Sequence, residues 1–502
     1  MKIYQIITTV VLLVFGFASF AQEPIVFDKK YRFENLGCIT TDVKQTPDSG
    51  YIAVGFAAIS IGNYSFLIYK TDSFGELEWY KRHGIQACEL SGVDISSEGN
   101  YIAVGQTQDN SDWFRYATII KYNTQGDTLW KKVYTLPVSP AGAEMSQSVF
   151  KDVICTKDSA IVAAGWCENG SYLDPYIVKT DLNGDTIWTW RAYAFQEGTG
   201  FDINVNLESI AETPEGDYVA VGQSDEPVDF GKEYGQTRGV IVKISNDGEL
   251  LYFKEFEDIN YTQFKDIDIN NQGELAITGG IIGYYLDNME NAILLKANAD
   301  GETLFYQEIY SAFYVWARSV CFTSDGSILF GGYLMPPWSE NWDQDIILQN
   351  YDPLGNLNWE KTIGGKDSYT DIAKIIRTYD NGFIIGGHYS NDTLNHSWLL
   401  KLDSLGNGVY DPGWINSVAQ QQFAIDVLLY PNPASEFVNI ETSDNSKTYD
   451  LEIYTITGQK VFEKTNNIGL SQINVSGFSQ GIYLLNIKSD KKVYTGKLSV
   501  KH

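Results

Sequence analysis

Residues Lys70–Trp79 read KTDSFGELEW, and close relatives of this stretch recur down the chain. They are KYNTQGDTLW (121–130), KTDLNGDTIW (179–188), KISNDGELLY (243–252), KANADGETLF (296–305), NYDPLGNLNW (350–359) and a shortened last copy, KLDSLGN (401–407). A second stretch precedes each one: DVKQTPDSGYIAVGF (42–56), DISSEGNYIAVGQ (94–106), VICTKDSAIVAAGW (153–166), IAETPEGDYVAVGQ (210–223), DINNQGELAITGG (268–280), CFTSDGSILFGGY (321–333) and IIRTYDNGFIIGGH (375–388). In both stretches two short apolar, β-branched runs flank a turn rich in Asp, Asn and Gly, which is the pattern of a hairpin. Each unit is therefore four strands, a to d, with about 50–60 residues between equivalent glycines, the size of a propeller blade. No helical period interrupts it.

The ends of the array predict how the ring closes. The seventh unit has strands a, b and c but no d. Near the N-terminus, IVFDKKY (25–31) matches LEWYKRH and TLWKKVY, with Phe27 at the Trp position. The N-terminal segment would thus supply the missing outer strand and remove an open edge. The reading is all-β: a seven-bladed propeller of four-stranded blades over residues 22–414, closed by its N-terminal strand, then a linker (415–427) and a small antiparallel β-sandwich (428–502).

The repeated positions have physical roles. Gly75, Gly126, Gly184, Gly248, Gly301, Gly355 and Gly406 fall in the c–d turn, where positive φ is cheap for glycine. The Asp or Asn three residues earlier (Asp72, Asn123, Asp181, Asn298, Asp352, Asp403; Ser245 in the fourth unit) can accept from its own turn. Trp79, Trp130, Trp188, Tyr252, Phe305, Trp359 and Phe27 are broad faces suited to wedging between blades. The pattern resembles the tryptophan-docking motif of quinoprotein propellers, whose resemblance implies a quinone cofactor in an eight-bladed ring over vicinal cysteines. With seven units and no adjacent cysteines here, the likeness points to packing, and no cofactor is expected. Asp181–Asp185 (DLNGD) lacks the acid order of a calcium loop and reads as a turn.

Composition excludes some functions. The chain has 502 residues, 44% hydrophobic and 14% aromatic, with 36 basic against 64 acidic side chains, a net charge of −28. Residues 424–502 hold eight Lys and eight acids, so the excess lies upstream. Such a surface repels phosphate backbones, and nucleic-acid binding is not expected. Ile6–Phe17 is a short apolar run behind Lys2, followed by Ala18-Ser19-Phe20-Ala21, which is similar to the A-x-A form of a signal-peptidase site; it reads as a secretory signal cut between Ala21 and Gln22. No later run is long enough to span a membrane.

Five cysteines lack metal-ligand spacing. Cys38 and Cys88 hold equivalent places in successive units, where a bridge is conceivable; Cys155 and Cys167 fall out of register on one hairpin. Catalytic motifs are missing. His388 and His396, with Asp392 between them, flank a b–c connection and could meet over a metal, although solvated loop histidines are the plainer reading. The long connections (106–116, 136–147, 194–206, 224–238, 281–291, 334–345) are all of the b–c or d–a kind and gather on one face. They carry aromatics beside acids, among them Trp113, Trp338 and Trp342, with Trp316 and Arg318 at the start of a strand a near the channel mouth. This face is the expected site for a glycan or a partner protein. A carbohydrate-active hydrolase or lyase and a purely structural surface protein are the alternatives.

The last segment carries a more specific likeness. YPNPASEFVNIE (430–441), YTITGQKVFE (454–463) and GIYLLNIKSDKKVYTGKLSVKH (481–502) resemble the type A sorting domain of the type IX (Por) secretion system. The resemblance rests on Pro431, Asn432, Pro433, Gly481, Tyr483, Lys497 and Lys501. It implies Sec export to the periplasm of a Gram-negative bacterium, then recognition by an outer-membrane translocon. Removal by a sortase-like protease, with release or attachment at the cell surface, would follow. It implies nothing about the propeller.

Overall fold

The computed structural model describes residues 24–501 apart from 61, 85–87, 109–113, 135–146, 170–171, 193–203, 226–236, 257–260, 282–290, 312–313, 336–343, 365–368, 391–393, 409–426, 431–433, 443–447, 456–458 and 490–491. The chain divides into two compact units, with the boundary between Asn416 and Ser417.

The first unit consists of seven four-stranded antiparallel sheets. Six are formed by four consecutive strands each. The seventh joins the closing strand Phe27–Tyr31 to His396–Leu402, Phe383–Ser390 and Tyr369–Arg377. Phe27 pairs with Lys401 and Tyr31 with Ser397, so the N-terminal segment is the outer strand of the last blade, as its sequence predicts. Asp28 fixes the pairing by accepting from the Trp398 indole N–H at 2.7 Å.

Burial follows strand position. Strands b and c lie between neighbouring blades and are near-continuous apolar runs, as in Tyr51–Ser60 and Asn63–Thr71. Strand d mixes exposed and half-buried residues and has no fully buried one in Leu77–His83. The hydrophobic core is spread over the seams: one cluster joins Val54, Phe66 and Ile68 of blade one to Leu90, Val93 and Ala103 of blade two. Another joins Phe27, Ile384 and Leu399 of the last blade to Val43, Leu67 and Tyr69 of the first.

Every strand a is interrupted by a β-bulge at one level, from Thr40/Asp42 in blade one to Ile372/Lys374 in blade seven. The bulge drives a strand-a carbonyl onto strand b, which explains the glycine in each VG or GG of the repeat. A Cβ on Gly55 would sit 1.9 Å from the Ile39 oxygen, and one on Gly222 1.9 Å from that of Asn206. Only glycine admits this approach. The bulge also brings two successive residues of each inner strand to the channel.

The turn aromatics behave as their spacing predicts. A Cβ on Gly126 would meet the Trp79 ring at 2.5 Å, one on Gly406 the Trp359 ring at 2.6 Å, and one on Gly75 the Phe27 ring at 2.7 Å. Each aromatic thus covers the turn glycine of the next blade, and Phe27 completes the circle. The turn acids accept from their own backbone: Asp72 Oδ1 takes the N–H groups of Phe74 and Glu76, both at 2.8 Å.

The second unit holds a sheet of Val427–Tyr430, Phe437–Thr442 and Leu470–Asn474, and a sheet of Lys460–Ile468, Thr448–Thr455, Gly481–Ser489 and Lys492–Val500. They enclose Val438, Ile440, Leu451, Ile453, Leu485 and Leu498. The first strand, VLLY, pairs with Phe437–Thr442 and ends on the Tyr that opens the Y-P-N-P motif.

Candidate functional site: the propeller channel

The seven inner strands converge on the axis, and their cross-strand registers define successive rings of side chains. At the bulge, the innermost ring is Asp42, Gly92, Asp152, Ser209, Asp266, Ser319 and Lys374, seven equivalent positions with largely different chemistries. One hydrogen-bonded network joins five of them, Asp152, Ser209, Asp266, Ser319 and Lys374. Lys374 Nζ of blade seven donates to Asp266 Oδ1 of blade five at 2.6 Å, and Ser319 Oγ donates to Asp266 Oδ2 at 2.5 Å. Ser209 Oγ lies 2.7 Å from Asp152 Oδ2 and 3.0 Å from Asp266 Oδ1. The carboxylates also stitch blade to blade, accepting backbone N–H groups from Val93 (to Asp42), Ile210 (to Asp152) and Val320 (to Asp266).

Burial decides the electrostatics of this ring. It pushes the Asp42 carboxyl up to about 6; Lys44 and Lys374 oppose the shift and Asp152 adds to it. Lys374 is raised although burial acts against its charge, because Asp266, Asp152 and Asp42 surround it. One ring further, Asp94 and Asp268 are also raised by burial while accepting from Cys155 N and Phe322 N of the next blades.

The network divides the channel into two chambers. On the face of the short a–b and c–d turns opens a cavity of about 770 Å³, lined by Lys44, Ile154, Ala211, Asp268, Cys321 and Arg377 among others. On the long-loop side a chamber of about 80 Å³ lies among Lys151, Glu208, Lys265 and Arg318. Among the described residues, the larger of these two cavities lies opposite the long-loop face. Above the network, Lys151, Lys265 and Arg318 crowd the space; below it, Lys44 and Arg377 share the lining with Ile154, Ala211 and Cys321. Burial pushes the Cys321 thiol up there.

The mouth on the long-loop side is built around Arg318. Its Nε and Nη2 donate to the two oxygens of Asp371 at 3.0 and 2.7 Å, a fork-on-fork pair across blades six and seven. Burial opposes the guanidinium charge, but Asp371 outweighs it and holds the pKa above its usual value. The guanidinium lies 5.0 Å from the Tyr333 ring centroid. Trp316 stacks on Tyr333 with centroids 6.0 Å apart and planes 8° from parallel. Tyr369 and His388 stand beside them, 5.5 Å apart. Burial lowers the His388 pKa; Asp371 acts against the shift and Arg318 with it. Burial and Asp371 raise that of Tyr369, against Arg318.

Of the sequence-predicted binding residues, Trp316 and Arg318 thus belong to one cluster, while Trp113, Trp338 and Trp342 lie outside the described residues. The histidine pair does not form a metal site. Both lie within strands, not in a loop, and because Tyr389 is the register partner of His396, the pleat sends His388 and His396 to opposite faces of the sheet. Among the described residues no group of His, Cys, Asp and Glu could hold a metal ion. All five cysteines are free, Cys38 and Cys88 included. Cys155 pairs with Ile161 and Cys167 with Ser148, out of register as expected.

One repeated residue escaped the sequence reading. The Lys that opens each KTD-like stretch is buried: Lys70, Lys121, Lys179, Lys296 and Lys401 expose 3%, 7%, 4%, 6% and 1% of their side chains. Each pairs with the acid of its own a–b turn, and Lys121, Lys179 and Lys296 also donate to the c–d turn of the next blade. Its signal was the repeat itself, K in six copies of seven, broken only by Asn350.

In the C-terminal unit, Pro431, Asn432 and Pro433 lie outside the described residues; so, at the other end of the chain, do Ala21 and Gln22, where the sequence predicts a cut. The rest of the opening motif meets the chain end: Ala434 pairs with Val500, and Lys501 N–H donates to the Ala434 oxygen at 2.8 Å. Gly481 pairs with Val500 and Leu484 with Lys497. Tyr483 is buried, with its hydroxyl on the Ser479 oxygen at 2.8 Å.

Comparison with known families and structures bears on both units. Residues 428–501 match the secretion system C-terminal sorting domain. The chain therefore carries a type IX sorting domain and is a cargo of that system, secreted or held at the cell surface. No curated protein matches the chain. Among solved structures it is similar to the β-propeller domain of the trilobed protease from Pyrococcus furiosus (10% identity, 77% of this chain and 99% of that one, TM-score 0.42). It is also similar to an ulvan lyase, a polysaccharide lyase bound to a GlcA–Rha3S unit (11% identity, 75% and 96%, TM-score 0.48). A third is the acylaminoacyl peptidase of Pyrococcus horikoshii (13%, 81% and 58%, TM-score 0.39). Among the described residues no helix is long and apolar enough to cross a membrane.

Proposed function

We propose that the propeller is the binding module of this exported cargo and takes a glycan at the long-loop mouth of its channel. The observation that carries this reading is the Trp316–Tyr333 stack beside the Arg318–Asp371 fork. A flat aromatic platform with fixed N–H donors at its edge suits a sugar ring, whose C–H face packs on the aromatic and whose hydroxyls take the donors. Trp113, Trp338 and Trp342 belong to the same face in this reading. Glycan-array retention of the wild-type chain, lost in Trp316→Ala, is the expected result; equal retention by both proteins removes Trp316 from the site. Capture of a surface protein in place of any glycan would turn the reading to a protein partner.

A second reading, a carbohydrate-active enzyme, is favoured by Tyr369 and His388 beside the same guanidinium. Burial keeps His388 neutral near pH 7, when it can accept a proton. Release of reducing or unsaturated ends from a polysaccharide panel, abolished by His388→Ala, would establish it.

The route outward is proposed from the sorting domain. The signal is cut between Ala21 and Gln22, the Sec pathway delivers the chain to the periplasm of a Gram-negative cell, and the translocon recognises residues 428–502 through the Pro431–Pro433, Gly481, Tyr483, Lys497 and Lys501 positions. A sortase-like protease then removes the domain. Deleting residues 481–502 should trap the protein in the periplasm; its continued appearance outside the cell would overturn this route.

A further inference from the structure

We infer that the ligand of the long-loop mouth is anionic: a glycan bearing carboxylate or sulfate groups. This rests on the mouth reading above and narrows it to a substrate class. The argument comes from how charge is sorted by exposure around the channel.

The bulge residues just above the axial network are Thr41, Ser91, Lys151, Glu208, Lys265, Arg318 and Ala373, and all seven line the small chamber. Three are cations and one is an acid, in a chain whose net charge is −28. Counting charges alone decides nothing, because Asp42, Asp152, Asp266 and Asp371 lie close by. Their accessibility decides. These four acids expose 3%, 8%, 2% and 6% of their surface, and each is engaged by backbone N–H groups, hydroxyls, Lys374 or Arg318. The cations are the open half: Lys151, Lys265 and Arg318 expose 34%, 26% and 35% of their side chains.

These cations also retain donors. Lys151 and Lys265 share a single carboxylate, Glu208, at 3.8 and 3.7 Å, beyond hydrogen-bond length. Arg318 spends Nε and Nη2 on Asp371, and a guanidinium has five N–H donors. Glu89, at the next ring outward, is the acid nearest in kind to an exception; it accepts from Gln106 at 2.9 Å, and burial raises its pKa. A group entering this chamber therefore meets ammonium and guanidinium N–H groups, with the buried acids behind them holding the cations in place. The chamber itself has room for a few waters or one small oxyanion. A pendant carboxylate or sulfate would enter it while its sugar ring rests on Trp316.

The test uses the full chain with two matched pairs of polymers: polygalacturonate against its methyl ester, and dextran sulfate against dextran. The acidic member of at least one pair should bind about tenfold or more tightly than its neutral partner, with the preference fading as salt is added. Whichever pair discriminates identifies carboxylate or sulfate as the recognised group. Lys151→Gln with Lys265→Gln, surface changes that leave the Arg318–Asp371 fork intact, should erase most of that preference while the melting temperature holds. Equal binding of acidic and neutral polymers overturns the inference and leaves the glycan reading standing. Undiminished preference in the double variant overturns it too. Binding of no polymer, with glycan arrays also blank, overturns both.

Discussion

At the rim of the ring, the seams between blades one and two and between blades two and three are made by the same contacts: Trp79 on Gly126, then Trp130 on Gly184. Lys81 on Asp127 and Lys132 on Asp185 repeat the pairing beside them. At the axis the same three blades present Asp42, Gly92 and Asp152, so the chemistry changes from blade to blade where the rim repeats it. Positions that must satisfy seven identical neighbours carry one solution seven times. Positions that face a common centre need only satisfy one another, and there a single Lys374 can serve carboxylates from several blades. The rim is additive and the axis is a network, and perturbing each should give a different kind of result.

Removing the closing strand breaks the rim most severely. Without residues 24–31, strand c of the last blade is left as an open edge and Gly75 loses the Phe27 ring. The expected outcome is a chain without a cooperative thermal transition, and a synthetic IVFDKKY peptide added in trans should restore one. At the axis, Lys374→Met leaves Asp266 buried without its cation and should cost about 3–5 kcal/mol by denaturant unfolding. A cost below about 1 kcal/mol would show that the hydroxyls and amides around Asp266 suffice without Lys374.

A finer contrast is available within the rim. Gly99 and Gly126 both have φ near +80°, but a Cβ on Gly99 meets nothing within 4 Å whereas one on Gly126 strikes Trp79. Gly126→Ala should therefore be more destabilising than Gly99→Ala by about 1–3 kcal/mol, the difference measuring the seam contact with backbone strain cancelled. Equal costs would mean that the ring yields freely. The smallest effect concerns Asp42. A carboxyl raised to about 6 holds its proton more tightly folded than unfolded, so its contribution favours folding at low pH and fades as pH climbs from about 4 through 6. The melting-temperature advantage of the wild type over Asp42→Asn should shrink over that range, by an amount equivalent to about 1–3 kcal/mol. An advantage that grows with pH would reverse the sign of the argument.

The same contrast explains what the sequence made legible. The rim could be read because repetition exposes it: Gly75 and its equivalents, the turn acids, the aromatics and even Phe27 at the far end declare themselves by alignment within the one chain. Lys70 and its equivalents were visible in the same columns, yet a lysine suggests solvent, and only the structure shows it buried against its turn acid. The axis could not be read, because Asp42, Ser209 and Lys374 look like unrelated residues until the bulge register sets them side by side. Loop length did point to the face bearing Trp316 and Arg318. It could not show that Asp371 holds Arg318 in place, nor that among the described residues a cavity of about 770 Å³ opens on the opposite face.

The pairing of Trp398 with Asp28 joins positions 370 residues apart. Six blades can form from neighbouring hairpins, each at low loop-closure cost, but the seventh cannot be completed until both ends of the propeller segment exist and meet. Folding of this unit should therefore end in a slow step governed by the encounter of the termini. Until that step the unfinished last sheet remains an unpaired template, able to accept the first strand of another copy and so exchange strands between molecules at high concentration.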